Sequence, residues 1–350
     1  MLLQGIFPAM TTPFYPDGAV YYKKIEYNVD RYSRGPVAGL VALGSTGEAV
    51  MLSDQERREV LRVIAEVAAV EKVLIAGTGA ESVLETLRLT EYAAKLKYDA
   101  ALVRTPHFYR PQMKPDAMLG FYRTVADQSP LPVLLYTVPP YTAYDLPLEV
   151  ICALAEHPNI IGIKESSGNV EKVAATVQGT QHIKRTSTVT ELQQAMTTRM
   201  QSGNSDREGN GSQLISVGGA SGGATTKSQP KIKTRSKEVG FQVLVGAAHT
   251  MLASFQAGAS GAVLALAAAA PTICFEIYAA WRDNDLELAR GKQENAGAAS
   301  KRVVSEFGIA AVKHAMEING YYGGTPRLPL LPLTAAQKEE VIAVMASCRN

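Results

Sequence analysis

The chain has 350 residues, of which 46% are hydrophobic and 19% charged, and its formal net charge at pH 7 is +2. This composition is typical of a globular enzyme, argues against overall disorder, and gives no support to binding of nucleic acid or of a membrane surface. The longest apolar stretch, residues 261–270, is too short to span a bilayer. Three scattered cysteines without metal-ligand spacing, and no basic leader before the first strand, predict a cytoplasmic protein.

Strand-like and helix-like segments alternate along most of the chain, and Ser53 and Ser82 begin helices with the S-x-x-E capping pattern. Eight such βα units fit either a closed (β/α)8 TIM barrel or an open doubly wound sheet, and the strand count and the missing Rossmann fingerprint favour the barrel. We expect the barrel at residues 1–270 and a C-terminal helical extension at 271–350. The predicted strands are residues 6–11, 39–43, 73–77, 100–105, 133–138, 160–164, 242–246 and 261–266.

One segment interrupts the alternation between the sixth and seventh predicted strands. Residues 181–238 are polar and rich in Gly, Ser, Thr and Lys, so they bury too little apolar area to offset the entropy of ordering. A helix-to-strand connection lies on the amino-terminal face of such a barrel, opposite the active site. The sequence therefore predicts a disordered insertion remote from catalysis. Its basic run is more typical of a solvated segment than of an interaction patch, and consists of Lys227, Lys231, Lys233, Arg235 and Lys237.

Lys164 ends the sixth predicted strand, directly after the apolar residues 160–163. A short β-branched run of this kind is typical of a strand buried on both faces, so its last side chain enters the space at the strand's carboxyl end. Burial disfavours the charged form of a lysine, and a neutral amine is the nucleophile that a Schiff base requires. The alternative is a lysine that lies along the strand end with its ammonium group in water.

Two further features lie at carboxyl ends of predicted strands, where a (β/α)8 barrel places its reactive groups. Tyr136, on the neighbouring fifth strand, would relay protons to or from Lys164; otherwise it is a core tyrosine with a bonded hydroxyl. Residues 44–48 (GSTGE) offer the Ser45 and Thr46 hydroxyls and backbone N–H groups to a carboxylate, or else form only a tight turn. The segment lacks the lysine of a phosphate-binding loop, and the histidines show no metal-ligand spacing, so no metal and no cofactor is expected.

With these residues in place, the chain resembles the dihydrodipicolinate synthase/N-acetylneuraminate lyase family of pyruvate-dependent class I aldolases. The resemblance covers nearly the whole chain except the insertion, and its landmarks occur in the family's order with barrel spacing. It implies a (β/α)8 barrel with a C-terminal helical region, assembled as a homo-oligomer (a dimer or a tetramer), that handles pyruvate and an aldehyde. The landmarks are residues 44–48 (GSTGE), 136–139 (YTVP), 162–166 (GIKES) and 327–330 (RLPL).

The resemblance also implies roles for individual residues. Lys164 would form the Schiff base with pyruvate or another 2-oxo acid, and Tyr136 would be the proton relay. Ser45 and Thr46 would bind the pyruvate carboxylate, and the backbone carbonyl near Val263 would line the site.

Two positions depart from the family pattern, and both concern the second substrate. Lysine-biosynthetic members carry an arginine where this chain has Tyr141, and a tyrosine cannot supply a charged, bidentate fork. The family also takes a second tyrosine from a neighbouring subunit, at a position that is Phe108 in this chain. Either Tyr109 or His107 substitutes for it, or the relay is incomplete. Both departures weaken the assignment as the lysine-biosynthetic synthase.

Other landmarks resemble the 4-hydroxy-2-oxoglutarate aldolase branch: Ser166, which matches a serine of that site, and residues 144–147 (YDLP), 307–309 (FGI) and 320–324 (GYYGG). That branch cleaves a 4-hydroxy-2-oxo acid to pyruvate and an aldehyde such as glyoxylate. The sequence therefore predicts a lyase of this type. The alternative enzyme is 4-hydroxy-tetrahydrodipicolinate synthase, and the alternative of another class is a non-catalytic barrel that binds a 2-oxo acid. A pure binder has no need of a neutral amine, which disfavours it.

Overall fold

The computed structural model describes residues 1–192, 194–205 and 232–350. Its strands are β1 (Gly5–Pro8), β2 (Gly39–Ala42), β3 (Val73–Gly77), β4 (Ala100–Arg104), β5 (Val133–Thr137), β6 (Ile160–Glu165), β7 (Arg185–Thr190), β8 (Thr234–Val239), β9 (Gln242–Val245) and β10 (Gly261–Leu264). Eight of them form one parallel sheet in the order β1-β10-β9-β6-β5-β4-β3-β2. A parallel bridge between Ala9 and Val41, just after β1 and within β2, closes this sheet. The (β/α)8 barrel predicted from the sequence is confirmed.

Helices cover the outside of the barrel and continue beyond its last strand. They are α1 (Tyr22–Arg34), α2 (Asp54–Val67), α3 (Val83–Lys95), α4 (Pro115–Gln128), α5 (Pro139–Thr142), α6 (Leu148–Ala155), α7 (Val170–Gly179), α8 (Thr198–Ser205), α9 (Met251–Gln256), α10 (Leu266–Ala269), α11 (Pro271–Arg282), α12 (Leu286–Ala299), α13 (Ile309–Ile318) and α14 (Ala335–Met345). The Ser53 and Ser82 side chains cap α2 and α3 by accepting the N–H of the third helical residue, each at 3.2 Å. Within the described ranges, no helix is long and apolar enough to cross a membrane.

Side chains alternate between the two faces of the barrel sheet, as the pleat requires. On β4, Ala100 and Leu102 pack in the cluster that fills the barrel interior, whereas Ala101 and Val103 pack against the helices. Every residue of β2, β5, β6, β9 and β10 is buried, which explains the near-continuous apolar runs in the sequence. The alternation also decides which strand-end side chains point into the barrel.

The described flanks of the insertion are folded, in contrast to the disorder predicted for residues 181–238. β7 and β8 pair as an antiparallel hairpin, and α8 follows β7. Arg185 donates hydrogen bonds to three backbone carbonyls between α6 and the start of β6. Arg199 donates to three carbonyls between α2 and β3. Hydrogen bonds to the backbone thus hold flanks that have little apolar side chain to bury, and residues 206–231, including Lys227 and Lys231, lie outside the described residues.

Candidate active site

Three consecutive barrel strands bring three polar side chains into one layer at the carboxyl end of the barrel. Arg104 on β4 is in register with Tyr136 on β5, and Tyr136 is in register with Lys164 on β6. Leu102, two residues before Arg104, faces the barrel interior, and so does Leu134, two residues before Tyr136. Because the side-chain period of a strand is two, Arg104 and Tyr136 face the interior as well.

Lys164 is buried, with only 4% of its surface exposed. Its Nζ lies 4.2 Å from the centroid of the Tyr136 ring. Among the residues that the structure describes, no carboxylate lies within ion-pair distance of this Nζ. The amine is therefore held against an aromatic face without a counter-charge that would occupy it.

The Tyr136 hydroxyl connects this lysine to the turn after β2. Its oxygen lies 3.2 Å from Ser45 Oγ, and either group can donate in this hydrogen bond. Ser45 begins a single 3₁₀ turn, Ser45–Gly47, whose second residue is the buried Thr46. Thr12 Oγ donates to the Gly47 carbonyl at 2.7 Å and fixes the turn against the end of β1. Lys164, Tyr136 and Ser45 thus form one connected group, with Thr46 in the adjoining turn.

A buried ion pair anchors the same turn to the C-terminal helices. Glu48 has a left-handed backbone conformation, with φ of 55°, and its side chain is fully buried. Its Oε1 lies 2.6 Å from Lys313 Nζ on α13, and its Oε2 accepts the Arg327 N–H at 2.8 Å. Burial lowers the pKa of Lys313, although the Glu48 charge and its hydrogen bond act in the opposite direction. Residues 45–47 form a tight turn, and the carboxylate of Glu48 after it is buried in an ion pair instead of facing water.

A cavity of about 760 Å³ opens above this group. Ser45 and Tyr136 line its floor, and Lys164, Thr46, Ser166 and Val263 are not part of its lining. Many of the surrounding side chains are apolar, and they come from the segment after β2, the end of β5, the start of α13 and the segment before α14. These apolar side chains are Leu43, Val50, Met51, Val138, Phe307, Ile309, Leu330 and Leu331.

Charged groups stand on one wall of the cavity, at the ends of β3 and β4. Arg104 Nη1 donates to Glu81 Oε1 at 2.8 Å, and lies 2.8 Å from His107 Nδ1. Glu81 Oε2 accepts the backbone N–H groups of His107 and Phe108 at 2.9 and 3.0 Å. Burial alone would raise the pKa of Glu81, but these backbone bonds and Arg104 lower it, so the carboxylate stays ionised. Sequence reasoning missed Arg104 and Glu81, although Arg104 ends an apolar run just as Lys164 does.

Comparison with known proteins decides the family. The model of the dihydrodipicolinate synthetase family matches residues 2–204 and 209–347. The chain belongs to this family. The 4-hydroxy-tetrahydrodipicolinate synthase of Acidiphilium cryptum is 28% identical over 344 residues, which are 98% of each chain. The enzyme of the same name from Methanosarcina barkeri is 36% identical over 179 residues, 51% of this chain and 60% of that one.

Solved structures of the dihydrodipicolinate synthetase family have the same fold. A dihydrodipicolinate synthase of Bacillus anthracis superposes with a TM-score of 0.78 at 22% identity, over 100% of both chains. The chloride-inhibited dihydrodipicolinate synthase of Acinetobacter baumannii, solved in complex with pyruvate, gives 0.77 at 27% identity over 99% of both chains. As a member of this family, the protein is a lyase of the pyruvate-dependent aldolase class.

The positions that depart from the family pattern lie at the cavity mouth. Tyr141 on α5 lines the cavity and exposes 57% of its surface. Phe108 and Tyr109 expose 75% and 68% of theirs and contact each other edge to face, with ring centroids 5.2 Å apart. Among the described contacts, the Tyr109 hydroxyl makes no hydrogen bond to Tyr136, and Phe108 has no hydroxyl to offer. His107 is instead held on the Glu81 carboxylate, with Nδ1 2.9 Å from Oε1.

Two further predicted site residues lie apart from the cavity. Ser166 Oγ is buried and has no hydrogen-bond partner among the described residues. It lies so close to Gly246 that a Cβ at that position would come within 1.8 Å of it, which explains the glycine after β9. Val263 is buried in the barrel interior on β10, in register with Phe7 of β1. Their predicted roles at the substrate stay predictions.

Proposed function

We propose that this lyase cleaves a 4-hydroxy-2-oxo acid into pyruvate and an aldehyde through a Schiff base on Lys164, in the manner of a 4-hydroxy-2-oxoglutarate aldolase. The observation that supports it is the connected group of Lys164, Tyr136 and Ser45. A buried amine without a carboxylate partner, beside a phenol that is itself hydrogen-bonded to a hydroxyl, is the arrangement that covalent catalysis at a ketone carbon requires.

The chemistry follows from these groups. The Lys164 amine attacks the C2 carbonyl, and loss of water from the carbinolamine leaves an iminium ion. Cleavage of the C3–C4 bond then sends its electron pair into the iminium, which gives an enamine, while the C4 hydroxyl loses its proton and becomes the aldehyde. Tyr136 is within reach to carry these protons, with Ser45 as its hydrogen-bond partner. Protonation of the enamine at C3 and hydrolysis release pyruvate.

The substrate's first carboxylate is assigned to the turn Ser45–Gly47. This turn offers two hydroxyls and the N–H groups of a 3₁₀ turn, and the Glu48–Lys313 pair holds it in place. Small concave turns of this kind bind anions through backbone N–H groups. A 2-oxo acid held there would have its carbonyl carbon near Lys164.

Borohydride reduction in the presence of pyruvate tests the proposal. We expect a reduced adduct on the peptide that contains Lys164, identified by mass spectrometry. Lys313 serves as the internal control, because it is equally buried but engaged with Glu48. A folded protein that shows no adduct, or an adduct only on another lysine, would contradict the Schiff base.

The second candidate is 4-hydroxy-tetrahydrodipicolinate synthase, because the relatives that share up to 98% of the chain's length bear that name. Tyr141 disfavours it, since the arginine fork expected in lysine-biosynthetic members is absent. The rates of the two reactions, measured with the same enzyme preparation, distinguish the aldolase from the synthase. We expect faster cleavage of 4-hydroxy-2-oxoglutarate than condensation of pyruvate with aspartate semialdehyde, and the reverse order would favour the synthase.

We further propose that the protein works as a homo-oligomer, a dimer or a tetramer. Three large apolar side chains near the cavity mouth support an interface there, because each is more than two-thirds exposed in the single chain: Phe108, Tyr109 and Leu331. Sedimentation velocity at micromolar concentration tests this proposal. A monomer that is fully active would contradict it.

A further inference from the structure

We propose that Arg104 binds a second carboxylate of the substrate and so makes the enzyme selective for 4-hydroxy-2-oxo dicarboxylic acids. This inference rests on the proposed function, since it concerns the end of the substrate farthest from the Schiff base. It assigns a specificity-determining role to a residue that stands outside the family landmarks of this chain.

The position of Arg104 suits this role. It is two strands away from Lys164, with Tyr136 between them, and all three are in register. Neighbouring strands are about 4.8 Å apart, so the two backbones are separated by roughly 10 Å. A five-carbon diacid joined through C2 to Lys164 would extend along this line, with C4 near Tyr136 and the far carboxylate toward Arg104.

Two nitrogen atoms of the Arg104 guanidinium group are available to donate hydrogen bonds to a ligand. Nη1 is used by Glu81, His107 and the Thr105 carbonyl. Nε and Nη2 have no hydrogen-bond partner in the part of the chain that the structure describes, and the side chain lines the cavity. These two groups form the edge of a guanidinium that binds a carboxylate through two parallel hydrogen bonds.

Glu81 holds Arg104 in position without using up the whole guanidinium. Its carboxylate accepts two backbone N–H groups as well as Nη1, so most of its charge is already engaged. Gly79, which follows β3 and also lines the cavity, packs directly against the arginine, because a Cβ at this position would come within 2.4 Å of the Arg104 backbone nitrogen and 3.0 Å of its Cγ. The wall of the cavity is therefore shaped around this side chain.

Selectivity between two substrates of equal length provides the test. The diacid is 4-hydroxy-2-oxoglutarate, and the matched monoacid is 4-hydroxy-2-oxopentanoate, which has a methyl group in place of the second carboxylate. We expect Arg104→Met to lower kcat/KM for the diacid by roughly 30- to 10³-fold, the usual effect of removing one partner of a buried charge pair, and to change the monoacid only a few-fold. Arg104→Lys should recover part of the loss, because it restores the charge but not the fork.

Arg57→Met is the control. Arg57 lines the same cavity from α2, with Nε bonded to the Leu52 carbonyl. We expect this variant to leave the ratio of the two kcat/KM values unchanged. Equal losses on both substrates in Arg104→Met, or a change of the ratio in Arg57→Met alone, would overturn the assignment.

A measurement on the unaltered enzyme covers the case in which the Arg104 variants do not fold. Borohydride trapping at Lys164 should reach half-saturation at a concentration at least about tenfold lower for 2-oxoglutarate than for 2-oxopentanoate, which corresponds to one charge-assisted contact. Equal half-saturating concentrations for the two acids would overturn this inference while leaving the proposed Schiff base intact. Absence of any trapping would instead overturn the proposed function.

Discussion

Two buried lysines of this protein lie in similar surroundings and differ in one respect. Lys164 and Lys313 are exposed by 4% and 0%, and each places its Nζ over an aromatic ring, at 4.2 Å from the Tyr136 centroid and 4.4 Å from that of Phe14. Lys313 also lies 2.6 Å from Glu48, whereas no described carboxylate pairs with Lys164. Burial of a lysine therefore does not identify a nucleophile. We propose Lys164 as the nucleophile because its amine has no described counter-charge and is therefore available to react.

Lys313 is connected through Glu48 to the turn that lies beside Tyr136. Lys313 holds Glu48, Glu48 holds the Arg327 N–H, and Glu48 follows directly on the turn that presents Ser45 and Thr46. The C-terminal helical region thereby fixes a loop of the barrel. In the proposed mechanism Lys313 contributes stability and Lys164 contributes chemistry, so we expect substitution of Lys313 to lower the free energy of unfolding and substitution of Lys164 to lower activity.

Replacement of Lys164 should have the largest effect on activity. Lys164→Met is expected to abolish borohydride trapping of pyruvate and to reduce turnover by roughly 10⁴-fold or more, as loss of a covalent nucleophile does in other enzymes. The free energy of unfolding should not fall, because the variant removes a buried amine that has no ion-pair partner. Steady-state rates, mass spectrometry and denaturant unfolding measure the three quantities. Trapping that persists in this variant would place the nucleophile elsewhere.

Removal of the Tyr136 hydroxyl should affect turnover more than binding. Tyr136→Phe keeps the ring under Lys164 but removes the hydrogen bond to Ser45. We expect turnover to fall by roughly 10²- to 10⁴-fold, the range for a proton relay, with a much smaller change in the pyruvate concentration needed for trapping. Unchanged turnover would remove the relay role and leave Tyr136 as packing for the lysine.

The barrel could be predicted from the sequence because its signals are local. Each barrel strand is a short apolar run, and the Ser53 and Ser82 caps lie within four residues of the groups they bind. The hairpin of β7 and β8 was not predicted, because it lacks such local signals. No residue of β8 is buried, so the strand has no apolar run or alternation with buried positions, and its pairing partner is remote in the chain.

The proximity of two candidate site residues could be predicted from their positions at the ends of neighbouring strands. Lys164 and Tyr136 are the last interior side chains of their strands, and the structure places them in contact. Arg104 carries the same signal on β4 and was overlooked because a charged residue at a strand end is usually solvated. The Glu48–Lys313 pair had no signal at all, since Lys313 is an ordinary lysine in the middle of a helix until the fold brings it to Glu48.

Replacement of Lys313 should have its main effect on stability. Lys313→Met leaves the Glu48 carboxylate buried without its cation, which typically costs about 3–5 kcal/mol of unfolding free energy. Lys164 should still be trapped with pyruvate wherever the variant is folded. The double variant Glu48→Gln/Lys313→Met removes both charges and should be more stable than Lys313→Met alone, as measured by urea unfolding. A Lys313 variant with wild-type stability would show that the pair does not anchor the turn.

Loss of the more exposed ion pair between Glu56 and Arg327 should have the smallest effect on the free energy of unfolding, and this effect should depend on pH. Glu56 accepts hydrogen bonds from Arg327 Nη1 and Nη2 at 3.0 and 2.7 Å, and Arg327 is the residue whose N–H binds Glu48. The Arg327 hydrogen bonds, opposed by partial burial and assisted by the Ser53 N–H, lower the pKa of Glu56 from 4.5 to about 2. A carboxyl group whose pKa is lowered by folding stabilises the protein above its unfolded value, and this contribution disappears as the pH falls through the folded value.

Comparison of the wild type with Glu56→Gln at several pH values tests this dependence. The variant should be less stable by about 1–2 kcal/mol at pH 7, a figure reduced for solvent screening of a partly exposed pair. The difference should stay constant down to pH 4.5 and vanish as the pH falls towards 2. A Glu56→Gln difference that does not change between pH 7 and pH 2 would mean that packing, and not the charge on Glu56, holds the Arg327 segment to α2.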